Sequence, residues 1–390
     1  MSAGANLGAG RSGPMPQGRL YSVATFANLT GAPISAFNHA KLLRGHFASA
    51  CLVLPGPGDI VDRAEAAGVP VLMLPMVNRG LRSRLLRLSL VRDLLAVLGS
   101  RWNYYRALCR EFRRAPGIVH VHDSLSIAPL ALLAARRCGQ PSVLHVRYPA
   151  RTARERRRLR FWAGLAGAVV CVSDGVRRGY GPWIRRRARV IHNFMELPPP
   201  LSAPPPRPPR LAMVSQMSHA KGSDLFLRMC ARLRADGLEF SAWMVGRWAG
   251  EEPKAAAQSF IREHGLQNCV EIRDQATDMD RIYGDMDVLV LPTRRDAFPR
   301  VVMEAMCNGI PVVATRIDGV PEMVQDGATG FLAEPEDAEG FADAAAKLLR
   351  DVSLRQRMGA AGRERAHKLF SPVAYETAML ALYREIGGRA

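Results

Sequence analysis

The segment Asp296–Thr315 reads DAFPRVVMEAMCNGIPVVAT and decides the fold class of this chain. It follows the apolar run Val288–Leu291, which predicts a buried strand, and it continues into a helical pattern over Val301–Cys307. The next apolar run, Pro311–Ala314, predicts another strand. A strand, a helix and a further strand in this order form a βαβ unit, which predicts a parallel sheet covered by helices.

The same alternation of short apolar runs and helical segments extends outward in both directions. Further strands are predicted at Leu20–Phe26, Ala48–Leu54, Val71–Leu74, Ile118–Val121, Ser142–Val146, Ala168–Val172, Arg210–Ser215, Ser241–Val245 and Val270–Ile272. Prolines at 198–200, 204–206 and 208–209 interrupt the pattern, and proline resists both helices and central strands. We therefore expect two doubly wound α/β domains, at residues 19–195 and 210–370, joined by a proline-rich linker at 196–209, with a disordered tail at 1–18.

Composition excludes several other kinds of protein. The chain has 390 residues and seven cysteines, and no two cysteines lie at CxxC spacing, so no zinc site is predicted. No run of 18 apolar residues occurs, which argues against a transmembrane helix. The first 18 residues lack the apolar centre of a signal peptide, and a cytoplasmic location is expected.

The formal net charge of +19 is concentrated in the first half of the chain. Arg151–Arg160 reads RTARERRRLR, and Arg185, Arg186 and Arg187 follow soon after. An anionic lipid surface, nucleic acid or a polyanionic substrate would suit such charge, and solvated helix faces are the alternative. Since no nucleic-acid recognition motif accompanies the arginines, nucleic acid is not predicted as a partner.

A basic stretch with leucines at helical spacing lies between Arg79 and Arg114. Its leucines are Leu81, Leu85, Leu88 and Leu95. The pattern leaves two interpretations open: a helix that lies on a membrane surface, or a helix that packs on its own domain.

Residues around the predicted helix 301–307 suit an anionic, hydroxyl-rich ligand. The amides of Phe298, Arg300 and Val301 lie at or near a helix N-terminus, where free N–H groups and the helix dipole favour anions. Glu304 lies one to two turns into that helix, and its carboxylate can accept hydrogen bonds from a ribose diol. Asp296 precedes the helix and can accept hydrogen bonds from sugar hydroxyls.

This segment resembles the E-x7-E signature of the retaining glycosyltransferases of family 4, which have the GT-B fold. The continuation at 309–332, GIPVVATRIDGVPEMVQDGATGFL, is similar to the usual sequence of that family. The resemblance implies that Glu304 binds the donor ribose, that Asp296 meets sugar hydroxyls, and that the backbone from Phe298 through Pro299 and Arg300 to Val301 holds the donor. Aspartate stands at 296 in place of the first glutamate of the signature.

Two glycine-containing loops resemble phosphate-binding loops of the same family. Residues 213–226 read MVSQMSHAKGSDLF, in which Lys221 and the following glycine match the family, while Ser215 and Gln216 replace its Gly-Arg pair. A lysine there can pair with a diphosphate, and Gln216 donates a hydrogen bond without a charge. Gly31 follows the first strand, where the family has a glycine-rich loop near the donor phosphate.

Histidines and one arginine end two neighbouring predicted strands. Residues 118–126 read IVHVHDSLS and residues 143–148 read VLHVRY. In the family, an acceptor-side histidine often ends the latter strand, and here Arg147 occupies that place, with His145 on the same strand face. We expect Arg147 to stabilise the leaving diphosphate or bind an anionic acceptor, with His145 as a catalytic or structural alternative. His120 and His122 are interpreted as structural.

The resemblance implies a retaining transfer from a nucleotide-sugar donor to a lipid-linked, lipopolysaccharide or polysaccharide acceptor. No metal or other cofactor is expected, and the DxD at 285–287 is interpreted as the start of a strand. Residues 371–390 would form a helix that crosses back to the first domain. The basic first domain adds an anionic membrane surface as a candidate partner. A sugar-nucleotide epimerase of the same fold and a non-catalytic binding protein on a decayed scaffold remain alternatives.

Overall fold

A computed structural model of the protein describes residues 18–28, 31–76, 87–122, 128–199, 207–273 and 278–388, and the side chains of 87–97 and 128 are not described. Nearly all of the predicted tail, half of the proline-rich linker and the side chains of the leucine stripe lie outside the described part of the chain. The chain forms two compact units. The first comprises Met1–Val172, Arg177–Ile191 and Tyr375–Ala390, and the second comprises Ser173–Val176 and His192–Ala374.

The described segments form thirteen strands and fifteen α-helices. The strands are β1 Arg19–Val23, β2 Ser49–Leu54, β3 Val71–Met73, β4 Gly117–Val121, β5 Ser142–Val146, β6 Ala168–Cys171, β7 Ala188–Val190, β8 Arg210–Val214, β9 Ser241–Val245, β10 Val270–Arg273, β11 Val288–Leu291, β12 Val312–Thr315 and β13 Gly330–Ala333. The helices are α1 Gly31–Leu43, α2 Ile60–Ala66, α3 Arg87–Arg114, α4 Ala128–Arg137, α5 Ala153–Ala163, α6 Asp174–Gly179, α7 Pro182–Arg187, α8 Ser223–Ala235, α9 Glu251–Glu263, α10 Met279–Gly284, α11 Arg300–Cys307, α12 Val320–Met323, α13 Ala338–Arg350, α14 Val352–Leu369 and α15 Pro372–Gly387.

Each unit contains one parallel sheet with a doubly wound strand order. The first unit has the order β3-β2-β1-β4-β5-β6-β7, and the second has β10-β9-β8-β11-β12-β13. Strands of such sheets are covered on both faces, so they appear in the sequence as continuous apolar runs. All five residues of β4 and all five of β5 are buried, which explains why both strands were predicted from sequence alone.

The strand β8 lies beside β11 in the second sheet, so the loops that leave their carboxyl ends start next to each other. These loops cover residues 215–222 and 292–299 and carry half of the predicted site residues. Ligands of open parallel sheets bind at the carboxyl ends of strands near the point where the strand order reverses. The topology therefore places the predicted loops where such a site forms.

The described part of α3 packs on its own unit. Tyr104, Leu108 and Phe112 are buried at helical spacing, while Leu98 and Trp102 remain exposed. This favours the packing interpretation for the carboxyl half of the basic stretch. In the segments that the structure describes, no helix combines the length and the apolar character needed to span a bilayer.

Candidate functional site

The two loops of the second unit meet through an ion pair. Lys221 Nζ lies 2.5 Å from Asp296 Oδ2 and 3.3 Å from the carbonyl oxygen of Arg295. Both side chains of the pair are partly exposed, at 28% for Lys221 and 21% for Asp296. The ammonium group is therefore held at the loop junction and remains accessible to a ligand.

Gly222 allows this junction to close. Its φ is +78°, and a Cβ built at this position would lie 1.8 Å from the carbonyl oxygen of Pro292. The αL conformation at Gly222 lets the chain pass from the Lys221 turn directly into α8. Any larger residue would push the two loops apart.

Replacing Gly222 with alanine is expected to destabilise the second unit by about 3 kcal/mol, because backbone strain and a backbone clash act together. Gly237→Ala is the matched control, since Gly237 has a φ of +73° but no atom within 4 Å of a built Cβ. That control should cost only about 1 kcal/mol. Urea unfolding of both variants measures the difference, and equal losses would contradict the close packing at Pro292.

Arg294 lies in the loop after β11 and stabilises the loop that contains Lys221. Its guanidinium donates to both oxygens of Asp224, at 2.7 and 2.9 Å, and to both oxygens of Glu336, at 2.6 and 2.7 Å. It also donates to the carbonyl oxygen of His219 at 2.6 Å. Burial opposes ionisation of Asp224, but the contact with Arg294 prevails and lowers the pKa of that carboxyl. Sequence reasoning missed Arg294, since nothing local marks it as a bridge.

The second loop leads directly into α11, and the N-terminus of this helix has no side-chain cap. Pro299 is its N-cap and makes no side-chain capping bond, and the first turn contains no acidic residue. The first amides of a helix have no intrahelical acceptor, so Arg300 and Val301 begin the helix with N–H groups suited to an anion.

The residue before the cap is anchored by its side chain. Phe298 is 5% exposed, stacks on His192 with ring centroids 4.8 Å apart, and meets Phe370 edge-on at 5.8 Å. The hydroxyl of Ser173, which is fully buried, donates to the carbonyl oxygen of Ala297 at 3.2 Å. These contacts fix the turn between Asp296 and α11, so only its backbone and the Asp296 carboxylate can meet a ligand.

Glu304 lies on the second turn of α11 and is held by two neighbours. The hydroxyl of Tyr283 donates to Glu304 Oε2 at 2.5 Å, and Arg300 approaches Oε1 at 3.4 Å. Burial and the adjacent carboxylate raise the pKa of Tyr283, so the phenol keeps its proton for this bond. Tyr283 was not found from the sequence, because it lies 21 residues before its partner.

The remaining predicted residues of these loops have modest roles in this conformation. The amide of Ser215 donates to the carbonyl oxygen of Val245 at 3.1 Å, and Gln216 is exposed.

Asp287 Oδ2 accepts from the amide of Arg210 at 2.7 Å and from Arg207 at 2.6 Å. Asp287 thus joins the starts of β8 and β11, in agreement with its interpretation as a strand-start residue.

The first unit holds the other predicted site residues, and it buries two of them in a cluster of histidines. His39, His120, His122 and His145 are 0% exposed, and Arg147 is 6% exposed. A guanidinium nitrogen of Arg147 lies 2.8 Å from His122 Nδ1 and 3.5 Å from His145 Nδ1. Arg147 and His145 do share a strand face, but both lie inside this cluster together with the histidines interpreted as structural.

The bond from Arg147 fixes the state of one histidine in the cluster. Arg147 can only donate, so His122 Nδ1 is an acceptor and that ring is neutral. From the C-terminal helix α15, the hydroxyl of Tyr375 lies 2.8 Å from His39 Nδ1, and that of Tyr383 lies 2.7 Å from His39 Nε2 and 2.6 Å from His120 Nδ1.

Among the described residues, His39, His120 and His122 also have the mutual spacing of a metal site, with ligand atoms within 4.8 Å. Both ring nitrogens of His39 are already bonded to tyrosine hydroxyls, and the cation Arg147 adjoins His122. These residues therefore suit a neutral hydrogen-bonded core better than a bound cation.

Gly31 differs from its expected setting. It is the first residue of α1 rather than a loop residue, it is exposed, and a built Cβ would meet nothing within 4 Å. Among the described residues of the first unit, no close backbone contact requires glycine at this position. Its contact with a donor stays a prediction.

Comparisons with known proteins cover both units. Residues 200–365 match the family described as glycosyl transferases group 1, and residues 30–194 match the glycosyl transferase 4-like domain. A D-inositol 3-phosphate glycosyltransferase of Corynebacterium diphtheriae is 33% identical over 163 residues, which are 40% of this chain and 38% of that protein. The lipopolysaccharide core biosynthesis mannosyltransferase LpsB of Rhizobium meliloti is 31% identical over 177 residues, which are 44% of this chain and 50% of that protein. The alignments thus span half or less of these curated relatives.

Solved structures are similar over nearly the whole chain. HepE of Anabaena, determined with UDP, has a TM-score of 0.78 at 17% identity and covers 95% of this chain and 100% of its own. A glycosyltransferase of Rickettsia africae has a TM-score of 0.77 at 18% identity, with 96% and 100% covered. This likeness establishes the GT-B fold. Because the two matched segments together cover most of the chain, the chain belongs to the group 1, family 4-like glycosyltransferases.

Proposed function

We propose that the protein transfers a sugar from a nucleotide-sugar donor to a membrane-associated or polysaccharide acceptor, with retention of anomeric configuration. The observation that carries this proposal is the Lys221–Asp296 pair beside the uncapped N-terminus of α11. A cation, a row of free amides and a carboxylate in one place suit a diphosphate attached to a sugar.

Each group has a distinct part in the proposed reaction. The diphosphate takes the ammonium of Lys221 and the first amides of α11, and Asp296 accepts a hydrogen bond from a sugar hydroxyl. Glu304, oriented by Tyr283, accepts hydrogen bonds from the ribose. HepE has been determined with UDP and with UDP-glucose, which supports a nucleoside diphosphate as the leaving group here.

The bond between the sugar C1 and the phosphate oxygen breaks, and a bond between C1 and the acceptor oxygen forms on the same face. The acceptor proton passes to the departing phosphate. Lys221 and the amides stabilise the charge that develops on that phosphate, which supports a reaction without a metal ion. The acceptor class is supported by the names of relatives, among them LpsB and the capsular polysaccharide glycosyltransferase CapM of Staphylococcus aureus.

The test is calorimetric titration with UDP, GDP and ADP in EDTA. We expect one nucleotide to bind, and Glu304→Ala to weaken that binding at least tenfold, since hydrogen bonds to a charged group contribute about 1.5–3 kcal/mol. Glu263→Ala, on an exposed position of α9, is the control and should bind like the wild type. If no nucleotide binds to the wild type, the non-catalytic alternative replaces the proposal. Turnover of the nucleotide sugar to an epimer without any acceptor would identify an epimerase.

A further inference from the structure

The helix α5 keeps its single carboxylate away from its exposed side. Thr152 and Glu155 form a capping box, in which Glu155 accepts from the amides of Arg151 and Thr152 at 2.7 and 3.0 Å. Leu159 and Ala163 are buried and mark the inward face. The Glu155 carboxylate is therefore bonded to amides at the start of the helix.

The outward side of α5 consists of arginines around one exposed aromatic ring. Arg154, Arg157 and Phe161 lie opposite the buried face at spacings of three and four residues. Phe161 is 65% exposed, the largest exposed fraction among the large apolar side chains of the described first unit. The other exposed arginines of the helix are Arg156, Arg158 and Arg160.

A second basic helix continues this surface. The ring of Trp183, on α7, has the guanidinium carbon of Arg160 5.8 Å away and that of Arg187 5.0 Å away. Ile184 of α7 is buried, whereas Arg185 and Arg186 are exposed. We call this surface the arginine face and define it as Arg154, Arg156, Arg157, Arg158, Arg160, Phe161, Arg185, Arg186 and Arg187.

Most of the charge on the arginine face has no internal counterpart. Within the described parts of the chain, no ion pair involves Arg154, Arg156, Arg157, Arg185 or Arg186. Solvation alone would suit the charges, but it does not account for a phenyl ring exposed among them. A surface that offers phosphates beside an apolar layer suits both features, since arginines bind phosphate and aromatic rings settle at the membrane interface.

We propose that the arginine face docks on the anionic surface of a phospholipid bilayer, with its guanidinium groups on lipid phosphates and Phe161 inserted at the interface. This surface is separate in sequence from the donor loops of the second unit. Docking would hold the enzyme at the layer where a lipid-linked acceptor is presented.

Full-length protein is sedimented with vesicles of phosphatidylcholine and phosphatidylglycerol and with vesicles of phosphatidylcholine alone. We expect binding to the anionic vesicles only. The triple variant Arg154→Glu, Arg157→Glu, Arg186→Glu should weaken the binding at least tenfold, and Phe161→Ser should weaken it at physiological salt. The control reverses three exposed arginines of the second unit, Arg228, Arg350 and Arg357, to glutamate and should retain binding.

The same variants are titrated with the nucleotide that the wild type binds. Unchanged nucleotide affinity with lost vesicle binding supports docking independently of the donor site, so the two proposals can fail separately. If the control variant and the variants of the arginine face lose vesicle binding equally, net charge alone explains the binding. That result would overturn the proposal that the arginine face is the docking surface. Retention of a single-stranded oligonucleotide without retention of anionic vesicles would overturn it in favour of a nucleic-acid partner.

Discussion

Acidification from pH 7 to pH 5 is expected to remove several kcal/mol from the free energy of unfolding of the first unit. Burial, and then the nearby Arg147, lower the pKa of His39 to about 3. Burial also holds the pKa values of His120, His122 and His145 well below the ordinary value near 6.5. The unfolded chain takes up protons below pH 6.5 and the folded cluster does not, so acid favours unfolding. At pH 5 His39 alone contributes roughly 2 kcal/mol to this loss, and the other three histidines act in the same direction.

Hydrogen exchange of amides in β4 and β5 measures the free energy of unfolding of this unit. It is recorded at pH 7, 6 and 5 and corrected for the intrinsic exchange rate. His122→Gln should flatten the pH dependence, because one buried titrating group is removed. The double variant His264→Gln, His367→Gln removes two exposed histidines and should keep the slope of the wild type. A stability that stays level between pH 7 and 5 would show that the cluster opens or is charged in the native state.

Replacing Lys221 with methionine is expected to slow release of nucleoside diphosphate from the nucleotide sugar by about 100- to 1,000-fold, the usual cost of one removed charge-stabilising donor. The assay uses water as the acceptor and needs no knowledge of the natural one. Lys41→Met removes an exposed lysine of the first unit and should have no effect.

Lys221→Met also leaves Asp296 without its ion-pair partner, which could slow the reaction indirectly through the loop. The double variant Lys221→Met, Asp296→Asn separates the two effects. Removing the uncompensated carboxylate should restore stability to urea, while the rate stays low. Recovery of the rate in the double variant would mean that Lys221 positions the loop and does not act on the phosphate.

The sequence was sufficient for the parts of this fold that depend on local pattern. Buried parallel strands such as β5 and β9 appear as apolar runs with clear ends, and both were predicted with the bounds that the structure shows. The edge strands β3 and β10 were predicted, but β7 and β13 were not. An arginine interrupts the three residues of β7, and β13 begins with a glycine, so neither forms a continuous apolar run of four residues. The GT-B assignment rested on the resemblance, since a βαβ pattern alone fits many folds.

Contacts between distant residues of the candidate site could not be predicted from the sequence. Lys221 and Asp296 were each assigned a role, but their contact joins residues 75 positions apart and no spacing rule reveals it. Arg294 and Tyr283 were missed because each acts on a partner brought near by the sheet. His120 was interpreted as structural, and its bond to Tyr383 spans 263 positions.

The helix α15 has a consequence for biosynthesis. From Tyr375 onward this helix belongs to the first unit and supplies the hydroxyls of Tyr375 and Tyr383 to His39, yet this part is translated after the whole second unit. While the ribosome is still elongating, the nascent first unit contains buried imidazoles without their partners. The second unit has all of its strands before α15 emerges, so it can complete its fold first. Chains that terminate before α15 would therefore combine an incomplete first unit with a second unit that has all of its strands.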